Sequence, residues 1–286
     1  MVGDAMPALL AVIFMAPALR FLAQPGFPLS DDGLNHVLQI ASFVQSIDQG
    51  DLYPRWSPLL NQQYGSPIFS YYAPLPFYLA ELGRLAQLSL TDSLKGVFAA
   101  SILLSCLAMY LLGRQLAGRA VGFASGVTYG LLPYLLHDVY SRSELGEALG
   151  LALLPAILFG FTRYAHTRRP VWLAVGSIGV ASLFLTHSIS VVMYLPFVAL
   201  WSVLLAFADV SGLPSWHARI RLTAQLLAGV ALGTGLAAFF WLPAFAEKSY
   251  VQLQRTVSRD VLHGYLVPRF WPPIEGSWLF DYRYNL

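Results

Sequence analysis

The sequence predicts an all-α, polytopic membrane protein with about seven transmembrane helices and a long first external loop holding interfacial helices. Three observations predict it. Hydrophobic residues make up 57% of the chain and charged residues only 11%, with a mean hydropathy of +0.59, which leaves too little polar surface for solution. Apolar runs of roughly 20 residues, the length that crosses a bilayer core, recur along the chain. Most Lys and Arg residues stand between those runs, where they set orientation, and the net charge of +2 is too small to point to nucleic acid.

The candidate spans are residues 6–24, 96–113, 120–137, 146–162, 171–186, 189–208 and 222–244. The first run has small residues at Ala16 and Ala18, as a signal peptide would, but the leader before it carries no positive charge. That favours an uncleaved first span. Cys106 is the single cysteine and lies inside an apolar run, so the chain offers neither an internal disulfide nor a cysteine zinc cluster, and packing is its expected role.

Residues 67–88 are apolar but carry Pro67, Pro74, Pro76, Glu81 and Arg84, with Tyr71, Tyr72 and Tyr78 between them, a composition that suits the interface. Charge supports that choice. If 67–88 does not cross and the N-terminus is cytoplasmic, three basic loops fall inside: Arg114 with Arg119, Arg163 with Arg168 and Arg169, and Arg219 with Arg221. The external loops are then about 25–95, 138–145 and the turn at Thr186 to Ser188, and the acidic residues gather there. On this reading the protein is a multi-pass plasma-membrane protein. A transmembrane module of residues 1–246 is followed by 247–286, aromatic and proline-rich, as an external tail or the start of a further part.

The external loops hold the candidate chemistry. Ser30-Asp31-Asp32-Gly33-Leu34-Asn35-His36 reads as a helix start capped by Ser30 or Asp31, with Asp32 and His36 on one face by their i, i+4 spacing. A carboxylate beside a histidine can take a proton or hold a metal; it can equally be a helix cap that favours the dipole. Arg55, next to Trp56, either grips a phosphate or anchors an interface. In Tyr140-Ser141-Arg142-Ser143-Glu144-Leu145-Gly146-Glu147, Glu147 falls in the first turn of an apolar helix, as a functional acid or a terminus stabiliser. His187, in Thr186-His187-Ser188, is a turn histidine or a site residue. No phosphate loop, nucleophile elbow or His-Glu-x-x-His zinc helix is present in the sequence.

These residues carry a resemblance. Seven spans with an acidic first external loop resemble the GT-C superfamily of membrane glycosyltransferases. Asp32-Gly33-Leu34-Asn35-His36, Gly50-Asp51-Leu52-Tyr53-Pro54-Arg55-Trp56, Tyr64-Gly65-Ser66-Pro67, Tyr72-Ala73-Pro74-Leu75-Pro76, Arg142 with Glu147, Thr186-His187 and Trp241-Leu242-Pro243-Ala244 resemble the bacterial membrane group labelled "6-pyruvoyl-tetrahydropterin synthase-related". The label is not read as an activity, because the soluble pterin synthase is a zinc enzyme and no metal-binding histidine cluster stands in this sequence. The superfamily implies inverting transfer of a sugar from a polyprenyl-phosphate donor to an external acceptor. It implies Asp32 as base with Asp31 in reserve and Glu147 as a second acid, and a divalent cation in some members, for which Asp32 and Glu147 would be the ligands. Arg142 or Arg55 would meet the phosphate, with His36, Glu144 and His187 at the substrate. A lipid or lipid-linked-sugar transporter and an inactive scaffold are the other readings. The near absence of midplane charge in the spans counts against the transporter.

Overall fold

The structure, a computed structural model, describes residues 2–27, 30–207 and 215–251. The described residues are helical apart from loops and one isolated bridge, Ser57 to Ser66. In chain order they form α1 (Val2–Ile13), α2 (Ala16–Leu22), α3 (Gly33–Asp48), α4 (Leu75–Leu85), α5 (Leu90–Ala117), α6 (Arg119–Gly130), α7 (Pro133–His137), α8 (Leu145–Thr167), α9 (Pro170–Phe184), α10 (Ser188–Phe207), α11 (Trp216–Leu236) and α12 (Ala238–Ala246). The chain divides into two units, Met1–Ala244 and Phe245–Leu286. In the second, Lys248 lies over the Phe245 ring in a short turn. The expected features of 252–286 lie outside the described residues.

Among the described residues α5, α8 and α10 are long and apolar enough to cross a membrane, and α11 with α12 makes a fourth span if the pair, bent by 69°, counts as one. The other apolar runs are shorter or interrupted, and proline accounts for two of the interruptions. Pro17 sits in the first turn of α2, where its missing N–H is tolerated and a continuing helix is not. Pro133 drives Leu132 to an extended ψ of 125°, which separates α6 from α7. α9 has 15 residues and spans about 22 Å, short of a core of about 30 Å. α4, within 67–88, has 11 residues and reaches about 16 Å, too short to cross.

α5 and α8 form the centre, with α6 and α4 against α5 and with α9 and α10 against α8. Close approach comes from small residues. A Cβ on Gly126 would stand 2.8 Å from the Cys106 carbonyl, and one on Gly122 would stand 2.8 Å from that of Tyr110, so the Gly122, Gly126, Gly130 stripe lets α6 lie on the α5 backbone. The outward side of α10 leaves Val192, Phe197, Leu200 and Leu204 exposed, a stripe that suits lipid rather than water.

The first loop is built, not loose. Phe43 on α3, Phe69 and Phe77 pack ring on ring at 5.3 to 5.6 Å. The Tyr78 hydroxyl donates to the Leu52 carbonyl at 2.6 Å, and Ser42 bonds Ser57 at 2.6 Å. α3 and α4 thereby form one lid-like layer at the end of the bundle where α8 begins and α9 ends.

Candidate functional site: a cavity at the start of α8

Three segments meet at that end. The backbone N–H groups of Asp31 and Asp32 donate to the carbonyls of Ser141 and Arg142, at 3.1 and 2.9 Å, and Leu75 N–H donates to the Leu185 carbonyl at 2.8 Å. The first loop is thus bonded to both the segment before α8 and the end of α9. Between α7 and α8 the chain takes a π-helical turn, Asp138–Arg142, and then a left-handed residue, Ser143 (φ 55°). Such turns recur at functional sites, and this one aims Arg142 forward at α8. The Arg142 guanidinium donates through Nη1 to Asp138 Oδ1 at 2.6 Å and to Glu147 Oε2 at 2.8 Å. Tyr134 donates to the other Glu147 oxygen at 2.6 Å.

These groups face a cavity of about 560 Å³ whose lining includes His36, Tyr72, Arg142, Glu144, Glu147 and His187. Tyr71 and Tyr134 add aromatic faces to its wall. Glu144 stands between two histidines: His187 Nε2 is 3.9 Å from Oε1 and His36 Nε2 is 4.0 Å from Oε2. Each imidazole is held from behind, His36 Nδ1 by Gln39 Oε1 at 3.0 Å and His187 Nδ1 by Ser190 Oγ at 2.8 Å. A side-chain amide oxygen only accepts, so in the tautomer that donates from Nδ1 to Gln39, His36 turns a bare Nε2 toward the cavity.

Burial sets the charges. It lowers both histidines and keeps them neutral. It raises Glu144 to about 7, with the charge of Asp32 adding to the effect, and raises Asp138 to about 6, with the charge of Glu147 adding. A carboxylate titrating near neutrality inside a cavity is the kind of group that binds or transfers a proton at working pH.

Most of the expected site residues converge here: Arg142, Glu144, Glu147, His36 and His187 share the cavity. Asp32 stands beside it at the N-cap of α3, half-buried, and its charge acts on His36, Tyr72 and Glu144. The expected cap is corrected. α3 starts at Gly33 with Asp32 as N-cap residue, and that residue makes no side-chain cap bond, so its carboxylate is not committed to capping. Asp31 is exposed, with its N–H on Ser141. Arg55 does not line the cavity. Sequence reasoning missed Tyr134 and Asp138 as site members; the i, i+4 spacing of Asp138 and Arg142 was the available signal. Among the described residues no group of three or more His, Cys, Asp or Glu is arranged to hold a metal ion. Asp32 and Glu147 do not form such a set, and no step below runs through a metal.

A family profile described as "6-pyruvoyl-tetrahydropterin synthase related domain; membrane protein" matches residues 69–280. The chain belongs to that family. The match to this 6-pyruvoyl-tetrahydropterin synthase-related family takes in Arg142, Glu144, Glu147 and His187 and begins after Asp32, His36 and Arg55. It makes the chain a membrane protein, whose exposed apolar helix faces contact lipid. No curated protein matches the chain.

Proposed function

We propose that this protein is a membrane glycosyltransferase, or the membrane module of one, that moves a sugar from a polyprenyl-phosphate carrier to an acceptor in the cavity at the start of α8. The observation that carries the proposal is the convergence of three loop segments, from the first loop, the turn before α8 and the turn after α9, on one cavity holding carboxylates, a guanidinium and tyrosines. The basic residues Arg114, Arg119, Arg163 and Arg168 lie at the other ends of α5, α6 and α8, which supports an external cavity by the positive-inside rule.

In this reading Asp32 accepts the proton of the acceptor hydroxyl, with Asp31 as its reserve, while Glu147, fixed by Arg142 and Tyr134, orients the site. Arg142 is the cavity's cation and meets the developing phosphate charge, sharing its guanidinium with Asp138 and Glu147. Arg55 receives no role at the cavity. A second, mainly apolar cavity of about 560 Å³ is lined by Ala18, Phe21, Phe27, Leu136 and Tyr140. Tyr140 of the π-helical turn that carries Arg142 lines it, and it has room for isoprenoid units.

One observation favours transport of the lipid-linked sugar as a second reading: the interrupted helices, above all the 69° bend between α11 and α12, are what discontinuous transporter helices look like. Proteoliposomes carrying radiolabelled polyprenyl-phosphate sugar separate the two. Label appearing on an acceptor supports transfer; label that changes leaflet and stays on its carrier contradicts it.

A further inference from the structure

Among the described residues no Lys or Arg side chain pairs directly with Glu144, and Arg142 acts on it only through space. The Arg142 guanidinium bonds Asp138 and Glu147 through Nη1, and the two groups nearest Glu144, His36 Nε2 and His187 Nε2, belong to imidazoles whose pKa burial lowers. Two carboxylates, Asp138 and Glu147, share the one guanidinium, while Glu144 and, at the rim, Asp32 add acidic groups that it does not bond. His36 is only 4% exposed, and among the described residues its Nε2 has no hydrogen-bond partner although His36 borders the cavity. An acid that a nearby cation would ionise and a buried unpaired nitrogen aimed at the same place are both satisfied by a positively charged donor.

The spacing selects the donor. The two imidazole nitrogens stand 3.9 and 4.0 Å from the Glu144 oxygens they face. A metal ion at about 2.1 Å from each atom of such a pair would need them roughly 140° apart, wider than tetrahedral or cis-octahedral ligation permits. A nitrogen about 2.9 Å from each would see them roughly 90° apart, near the spread of the hydrogens of a primary ammonium. The tyrosine faces of Tyr71, Tyr72 and Tyr134 on the same wall are suited to the same charge.

We propose that this cavity binds a ligand through a primary ammonium group, held by Glu144, His36 Nε2 and His187 Nε2 against the tyrosine wall. The ammonium belongs either to an amino sugar or to an ethanolamine lipid headgroup. This deepens the transferase reading by giving the molecule in the cavity a chemical class, but its test does not depend on turnover.

The full chain in phosphatidylcholine nanodiscs is titrated calorimetrically with glucosamine, N-acetylglucosamine and phosphoethanolamine. At least one amine is expected to bind, glucosamine at least tenfold more tightly than its N-acetyl form if it is the one. Glu144→Gln is expected to lose that preference while melting no lower than wild type, and Tyr72→Leu to weaken binding several-fold. Repeating the titration in discs containing phosphatidylethanolamine separates the sources: weakened probe binding points to the headgroup, unchanged binding to the sugar, and both support an ammonium site. Binding of N-acetylglucosamine as tight as that of glucosamine, full amine affinity in Glu144→Gln, or no binding by either amine overturns it. Amine binding without sugar transfer would leave this inference standing and the transferase reading failed; transfer without amine preference would do the reverse.

Discussion

Arg142 holds two carboxylates, one of them fully buried, and so decides how much negative charge the cavity tolerates. Removing one partner of a buried ion pair strands the other charge. Because Arg142 is itself one-third exposed, Arg142→Ala is expected to cost about 2 to 3 kcal/mol, read as a lower unfolding midpoint in detergent at pH 7.5. A midpoint equal to wild type would mean that Asp138 and Glu147 find other partners. Glu144 gives a second test at this scale. Its usual value of 4.5 is raised to about 7, so between those values the unfolded chain ionises while the folded one stays protonated, and stability falls as pH rises through that window. The full loss is at most about 3.5 kcal/mol, at about 1.4 kcal/mol per unit. Asp138, raised to about 6, acts with the same sign. Glu144→Gln is therefore expected to flatten, without abolishing, the decline in melting temperature between pH 5 and pH 8. An unchanged slope would show that Glu144 is not the titrating group.

At the scale of elements, the α5–α6 pair rests on glycine rather than on large apolar side chains. Gly126→Leu would push a side chain into the Cys106 carbonyl and Tyr110 Cβ and is expected to destabilise by about 1 to 3 kcal/mol. Gly96→Ala in α5, where a new Cβ meets nothing within 4 Å, should be neutral or stabilising, since alanine is the better helix former. Comparing folded yields of the two variants checks the packing; equal yields would contradict it. The helix interruptions explain what hydropathy did not show. Residues 120–137 and 222–244 are mainly apolar and hold no Asp, Glu, Lys or Arg, and average hydropathy cannot register that Leu132 turns extended before Pro133 or that the chain bends after Leu236. That 67–88 holds only a short helix was legible, because its prolines and charges fit an 11-residue helix better than a span.

For the whole molecule, the grouping of the candidate site was legible in outline. Arg142, Glu144, Glu147, His36 and His187 were singled out from loops that the alternation of spans places at one end, and they share one cavity. Asp138 and Tyr134 were less visible because the π-helical turn and the left-handed Ser143, which bring them round to Glu147, leave no mark in composition. Asp32 lies beside the cavity with its carboxylate free of capping, so a functional role and a capping role make different predictions for Asp32→Asn. The most direct measurement is sugar transfer from a radiolabelled polyprenyl-phosphate sugar pool, in membranes expressing equal amounts of the wild-type chain or Asp32→Asn. The account predicts transfer by the wild type and its loss, by at least about 100-fold, in the variant, as removal of a general base requires; transfer by the variant at the wild-type rate would contradict it.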